Sequence, residues 1–193
     1  EDRIFSSEAL FSAVNSKRTS DIHDKFFSNK LEQVNLLTMG ELAVHNLYDS
    51  ESDLRTYQWQ TLKNTEGVDQ RFFVKYGQVQ DMDLGYASMV PVVRMAEMYL
   101  IAAESQSDVL ANGTSYVNTL RRNRGISTSL EALTPELLKY EYIRELYGEG
   151  QLFYFYKRLF SKVIWSYTDS RNPEPSTNLF VVPLPDSETE NRE

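Results

Sequence analysis

The sequence predicts a mainly α-helical protein whose first part is irregular and partly β. Three observations point that way. From residue 91 onward, apolar residues recur at helical spacing in four successive segments, two of them opened by a proline. Between residues 53 and 79, two stretches rich in aromatic and β-branched residues flank a turn-type segment. The stretch YGEGQLFYFYKRLF, 147–160, sets six aromatic rings around a Gly-Glu-Gly. The chain is expected to form a single domain over 1–193. Residues 1–86 are the variable, mixed segment, and 87–193 are a helical framework ending in an extended tail.

Taken in order, RIFSSEALFSAV reads as a short strand or a helix start, because Phe5, Leu10 and Phe11 do not settle the period. Leu31, Val34 and Leu37, then Leu42 and His45, fall at helical spacing interrupted by Gly40, which predicts one or two short helices. DLRTYQWQTL and QRFFVKYGQV, separated by KNTEGVD, predict a β-hairpin. Pro91 is suited to a first helical position, since its missing N–H has no partner to lose there. Val92, Met95, Ala96, Tyr99, Ala102 and Ala103 would then share one face. In SYVNTLRRNRG, Tyr116, Val117 and Leu120 form the apolar side and Gly125 is a natural left-handed stop. Thr134 can cap a third helix with Pro135 first inside it and Glu136 at the positive end of its dipole. Leu138, Tyr142 and Leu146 make that helix's buried stripe.

The aromatic stretch itself reads as core. Leu152, Phe155, Tyr156, Leu159 and Val163 share one helical face, and burying such a side chain contributes about 1.5–3 kcal/mol without any ligand. Phe153, Tyr154 and Phe160 lie elsewhere on the wheel. The tail LFVVPLPDSETENRE, with Pro183 and Pro185, predicts an extended segment.

Composition excludes several function classes. Twenty-eight acids against twenty bases give a net charge of -8, which repels a phosphate backbone, so nucleic acid is not an expected partner. The absence of cysteine removes disulfides, thiolate chemistry and cysteine-ligated metals. No apolar run approaches the ~20 residues of a membrane-spanning helix. The start EDRIFSSEAL, without Met or a signal pattern, is expected of a processed product or a piece of something longer. His23 and His45 lack metal-ligand spacing, no Gly-x-Ser-x-Gly elbow occurs, and no glycine loop could cradle a phosphate; no metal, catalytic residue or cofactor is expected.

Two sets of residues remain as candidates. Glu141, Glu145 and Glu149 recur every four residues beside Arg144. As a glycosidase pair they would have to flank a sugar, which neighbours on one helix do poorly. An ion-pair network with Arg94, Arg121, Arg122 or Arg124 is the better reading, and Glu97 is expected to join it. Tyr57 and Trp59, two apart on a predicted strand, would face the same side and are the best candidates to stack on a pyranose ring, although sheet packing is the preferred reading of the pair. Trp165 and Tyr167 repeat that spacing in VIWSYTDS.

Four segments in order resemble the SusD/RagB family of outer-membrane glycan-binding lipoproteins. VPVVRMAEMYLIAAES (90–105) is similar to its Arg-x-x-Glu-x-x-Leu-x-x-Ala-Glu helix, with Arg94, Glu97, Leu100, Ala103 and Glu104. YVNTLRRNRGI (116–126) resembles its Asn-x-x-Arg-x-Arg-x-Gly helix end, and EYIRELYGEGQLFYFYKR (141–158) its Glu-x-x-Arg-Glu-Leu-x-x-Glu-Gly motif. VVPLPDSETENR (181–192) resembles its closing Pro-x-Pro-x-x-Glu segment, and DLR (53–55) with VKY (74–76) its preamble. Leu152 and Phe155 depart from the family, which often carries Arg and Asp there; exchanging both for apolar groups is consistent with a structural helix.

The resemblance covers roughly 53–193 and implies the carboxy-terminal part of a longer protein with a helical, TPR-related scaffold. It implies non-enzymatic capture of an oligosaccharide at the outer-membrane cell surface. Delivery would be to a SusC-like TonB-dependent transporter, and contact with the membrane only through a lipid anchor outside this chain. The family's sugar contacts vary, so the resemblance assigns neither aromatic pair. A helical protein-docking scaffold without a sugar site is the first alternative, a glycoside hydrolase the second.

Overall fold

In the computed structural model, helices form the larger part of the regular structure, with short strands paired as two-stranded ribbons among the described residues. The structure describes residues 2–48, 50, 52–79, 85–159 and 180. It falls into two units, Glu1–Glu149 and Gly150–Glu193.

In the first unit, β1 (Ala9–Val14) resolves the ambiguous opening segment as a strand. A wide helical turn (Thr19–His23) leads into the single turn α1 (Asp24–Phe26). The apolar spacing around Val34 does not make an α-helix. Gln33–Asn35 is one 3₁₀ turn with Val34 exposed, and the helix α2 (Glu41–Leu47) begins only after Gly40, which takes the extended N-cap conformation. Val44 and Leu47 of α2 are buried.

The predicted hairpin is present, but its first strand is shorter. Leu54–Gln58 is a 3₁₀ turn capped by Asp53, whose carboxylate accepts from the Arg55 N–H, and only then does β2 (Trp59–Lys63) pair antiparallel with β3 (Asp69–Phe73). Asn64 closes the connection by accepting from the N–H groups of Glu66 and Val68, with Gly67 at φ 78°.

Pro91 is not the start of a helix. It lies in β4 (Met89–Arg94), which pairs antiparallel with β1, opposite Ser12 and beside register shifts that accommodate a residue with no N–H to donate. The ribbon crosses the compositional change near residue 87. Arg94 ends β4 in extended conformation, and α3 (Met95–Glu104) starts directly after it. Its Ala96, Leu100 and Ala103 are buried, and it packs against α4 (Thr114–Asn123) and α5 (Pro135–Leu146).

The local signals that ended and began these two helices read correctly. Gly125 stops α4 at φ 84°, and a Cβ there would meet the Ser52 carbonyl oxygen at 2.4 Å, so both conformation and space demand glycine. Thr134 accepts from the Leu137 N–H at 3.2 Å, with Pro135 first inside α5.

An aromatic cluster joins the hairpin to the end of α5. Phe73 lies 5.2 Å from Phe27, 5.1 Å from Trp59 and 4.9 Å from Tyr147 between ring centroids. Trp59 and Tyr147 are themselves 5.1 Å apart. Gly148, at φ 73°, lets the chain turn against this cluster; a Cβ there would come within 2.4 Å of the Phe73 ring.

The second unit is described through α6 (Gln151–Arg158) and Phe180. Phe155 and Tyr156 are buried, while Leu159, expected on the same buried stripe, is exposed. Phe153 packs edge-on against Tyr154 at 5.4 Å and lies 6.1 Å from Phe180. Val163, Phe160 and the tail 181–193 lie outside the described residues.

Candidate functional site

The glutamates of α5 organise a buried charge cluster. Glu145 sits at its centre. Arg94 donates to it at 2.6 Å, Arg124 at 2.7 and 3.0 Å, and Arg55 at 3.3 Å. Glu141, one turn earlier, accepts from Arg55, Arg121 and Arg144, each at 2.9 Å. Glu149, in the turn after α5, accepts from Arg94 at 2.7 Å and pairs with Lys75. Asp53 accepts from Arg55 at 2.8 and 2.9 Å, and Glu8 takes both terminal nitrogens of Arg124 at 2.6 Å. Five carboxylates thus meet six cations.

The i, i+4 spacing on α5 puts Glu141 and Glu145 on one line, the turn after the helix adds Glu149, and β4, α4 and the turn at Leu54–Gln58 bring guanidinium groups to them. Burial alone would raise the Glu145 carboxyl, yet Arg124, Arg94 and Arg55 hold it well below the ordinary range. Glu141 is likewise lowered against its burial, by Arg55 and Arg144. Burial outweighs Glu149 at Lys75 and lowers its ammonium.

This arrangement cannot perform glycoside hydrolysis with these carboxylates. Glu141, Glu145 and Glu149 have side chains no more than 1% exposed. Glu141 and Glu145 are also stabilised as anions, the opposite of what a general acid needs.

Two expected members of the network stand elsewhere. Arg122 points to solvent and donates to Thr119. Glu97 makes no ion pair among the described residues, because the Arg94 guanidinium beside it is already shared between Glu145 and Glu149. Half-buried, with Glu149 nearby, its carboxyl is raised despite the opposing charge of Arg94. Conversely, Arg55, Asp53, Lys75 and Glu8 belong to the cluster without having been read as members. Only the Asp-x-Arg of DLR offered a local signal.

The two aromatics proposed to share a sugar-facing strand surface do not do so. Tyr57 is in the 3₁₀ turn and 52% exposed, whereas Trp59 opens β2 and is 6% exposed, its faces taken up by Phe73 and Tyr147. The turn breaks the two-residue alternation, so the rings point into different environments, and Trp59 has no free face for a pyranose. Trp165 and Tyr167 lie outside the described residues. Among the described residues no group of His, Asp and Glu side chains is placed to hold a metal ion.

The backbone arrangement finds counterparts among solved structures. A SusD superfamily protein from Bacteroides vulgatus superposes with a TM-score of 0.58 at 23% identity over 80% of this chain and 36% of its own. Surface glycan-binding protein A from Bacteroides thetaiotaomicron, solved in complex with laminarihexaose, superposes with a TM-score of 0.67 at 16% identity over 95% of this chain and 50% of its own. A second structure of the same protein matches over 96% of this chain with the same TM-score of 0.67. The chain has a SusD-like fold. It spans between about a third and half the length of these SusD-like neighbours. No protein-family model and no curated protein matches the sequence.

Proposed function

We propose that this SusD-like chain belongs to a non-enzymatic glycan-binding protein of the bacterial cell surface. It would take an oligosaccharide and deliver it to a SusC-type TonB-dependent transporter in the outer membrane, held there by a lipid anchor. The observation that carries the reading is the superposition over 95% of this chain on a surface protein solved with laminarihexaose. The depressed, buried carboxylates of α5 favour binding over hydrolysis, because they are committed to holding neighbouring elements together.

Tyr57 is the side chain of the first candidate pair still able to offer a ring face. Hydroxyl groups exchange water contacts for protein contacts at small net gain, so affinity rests on such faces and stays modest. Isothermal titration with laminari-oligosaccharides is expected to show binding without release of new reducing ends. Tyr57→Ala should weaken it about tenfold, since a stacked ring contributes about 0.5–1.5 kcal/mol. No binding across a panel of oligosaccharides, or sustained hydrolysis, would sink the proposal.

A further inference from the structure

Between the first turn of the chain and helices α3 and α4 lies a cleft of about 210 Å³, lined by Glu8, Met95, Ala96, Tyr99, Leu120 and Asn123. We propose that it is a subsite for one neutral pyranose ring, with the ring's C–H face against Tyr99, Met95 and Leu120 and its hydroxyls on Glu8, Asn123 and Tyr99. The assignment rests on the oligosaccharide-binding reading above and places a contact apart from Tyr57.

Size sets the first limit. Pockets for drug-sized ligands span about 300–1,000 Å³, so this smaller cleft admits a single ring of a longer glycan. Its chemistry is two-sided: Ala96 and Leu120 are buried apolar groups at its base, and Met95 is an exposed apolar rim. Around them stand polar atoms with capacity to spare. The Tyr99 hydroxyl makes no hydrogen bond among the described residues, and neither does the Asn123 amide oxygen, the amide nitrogen being used on the Thr119 carbonyl at 2.9 Å. Each oxygen of Glu8 accepts one bond from Arg124 at 2.6 Å, which leaves each a further lone pair.

The same contacts decide which ligand class fits. Glu8 is held bidentately by Arg124 within a cluster whose six cations outnumber its five carboxylates, so the cleft has no surplus negative charge to select an ammonium or guanidinium group. An apolar side chain from a polypeptide would leave the Tyr99 hydroxyl and the two acceptors facing hydrocarbon without partners, which is unfavourable. A pyranose satisfies both sides at once, offering C–H bonds on its face and O–H donors at its edge. The rim is also held firmly. Phe5, at φ 53°, is a non-glycine residue in the left-handed region, and its ring lies 4.0 Å from the Arg124 guanidinium that fixes Glu8. Strain of this kind persists only where the surroundings over-determine it, and it collects at ligand sites.

Titration of the whole chain with laminarihexaose and with methyl β-glucoside tests the proposal. Tyr99→Ala should weaken laminarihexaose binding about tenfold. Asn123→Ala, an exposed position whose side-chain bond runs only to the Thr119 carbonyl of its own helix, should weaken it about fivefold and guards against a folding defect in the first variant. The wild-type chain should also bind the monosaccharide glycoside weakly, and Tyr99→Ala should abolish that. Unchanged affinity in both variants, with Tyr57→Ala still weakening binding, would overturn the cleft while leaving the glycan reading standing. Unchanged glycan affinity together with altered sedimentation of Tyr99→Ala would overturn it in favour of a polypeptide interface. Failure of the wild-type chain to bind any oligosaccharide would remove the functional reading itself, and the cleft with it.

Discussion

Two buried clusters lie side by side at the end of α5 and hold the first unit together by different physics. One is ionic, centred on Glu145, with three arginines donating to a single carboxylate. The other is aromatic, centred on Phe73, with Phe27, Trp59 and Tyr147 around it. Both draw on the same segment of sequence, since Tyr147 follows Glu145 by two residues. They differ in what happens when a member is removed. An aromatic cluster loses contacts and leaves a hole that its neighbours can partly close. An ionic cluster loses the partner that made burial of the remaining charges tolerable, and no relaxation of apolar neighbours replaces it.

The largest expected effect is therefore at Glu145. Glu145→Ala should cost at least the about 3–5 kcal/mol seen when one partner of a buried pair is removed, because Arg94, Arg124 and Arg55 all lose a contact. Urea unfolding of the variant is the measurement; a loss under about 1 kcal/mol, the scale of a surface pair, would mean the cluster is not the keystone described here. Acid should act on the same cluster without mutation. The folded-state carboxyls of Glu145 and Glu141 titrate below the usual value. Their stabilisation is full above the unfolded carboxyl value of about 4.3 and drains away as pH falls through the folded values. A pH series of unfolding free energies should fall below that point in the wild type, and more shallowly in Glu145→Ala.

Phe73→Ala is the matching break in the aromatic cluster. We expect about 3 kcal/mol, the lower end for such a truncation, because three rings can shift toward the space. Its acid sensitivity should equal that of the wild type, which separates the two clusters by mechanism as well as by size.

The contrast also explains what could be read in advance. The glutamate line was legible because i, i+4 spacing is local, and so were the Thr134 cap and the Gly125 stop. Arg55 and Lys75 were not, because both come from turns, where no periodicity announces a charged side chain as buried. Pro91 was misplaced since β4 runs into α3 without a break, and the partner that makes it a strand, β1, lies far back in the sequence. Trp59 packs in the sheet as the favoured reading has it, but pairing it with Tyr57 on one side assumes an unbroken strand, and the 3₁₀ turn at Leu54–Gln58 removes that assumption.

The smallest expected effect lies at the far end of α5 and sets the scale for the others. Thr134 satisfies one N–H of the first turn, and Pro135 already fixes the backbone beside it. Thr134→Ala should cost about 1 kcal/mol, the usual worth of such a cap, with no change in acid sensitivity since no buried charge is disturbed. A loss comparable to that of Glu145→Ala would show that α5 is held by its cap as much as by its ion pairs. In that case the ionic cluster would share the fixing of α5 with a local cap, and its place as the chief support of that helix would have to be given up.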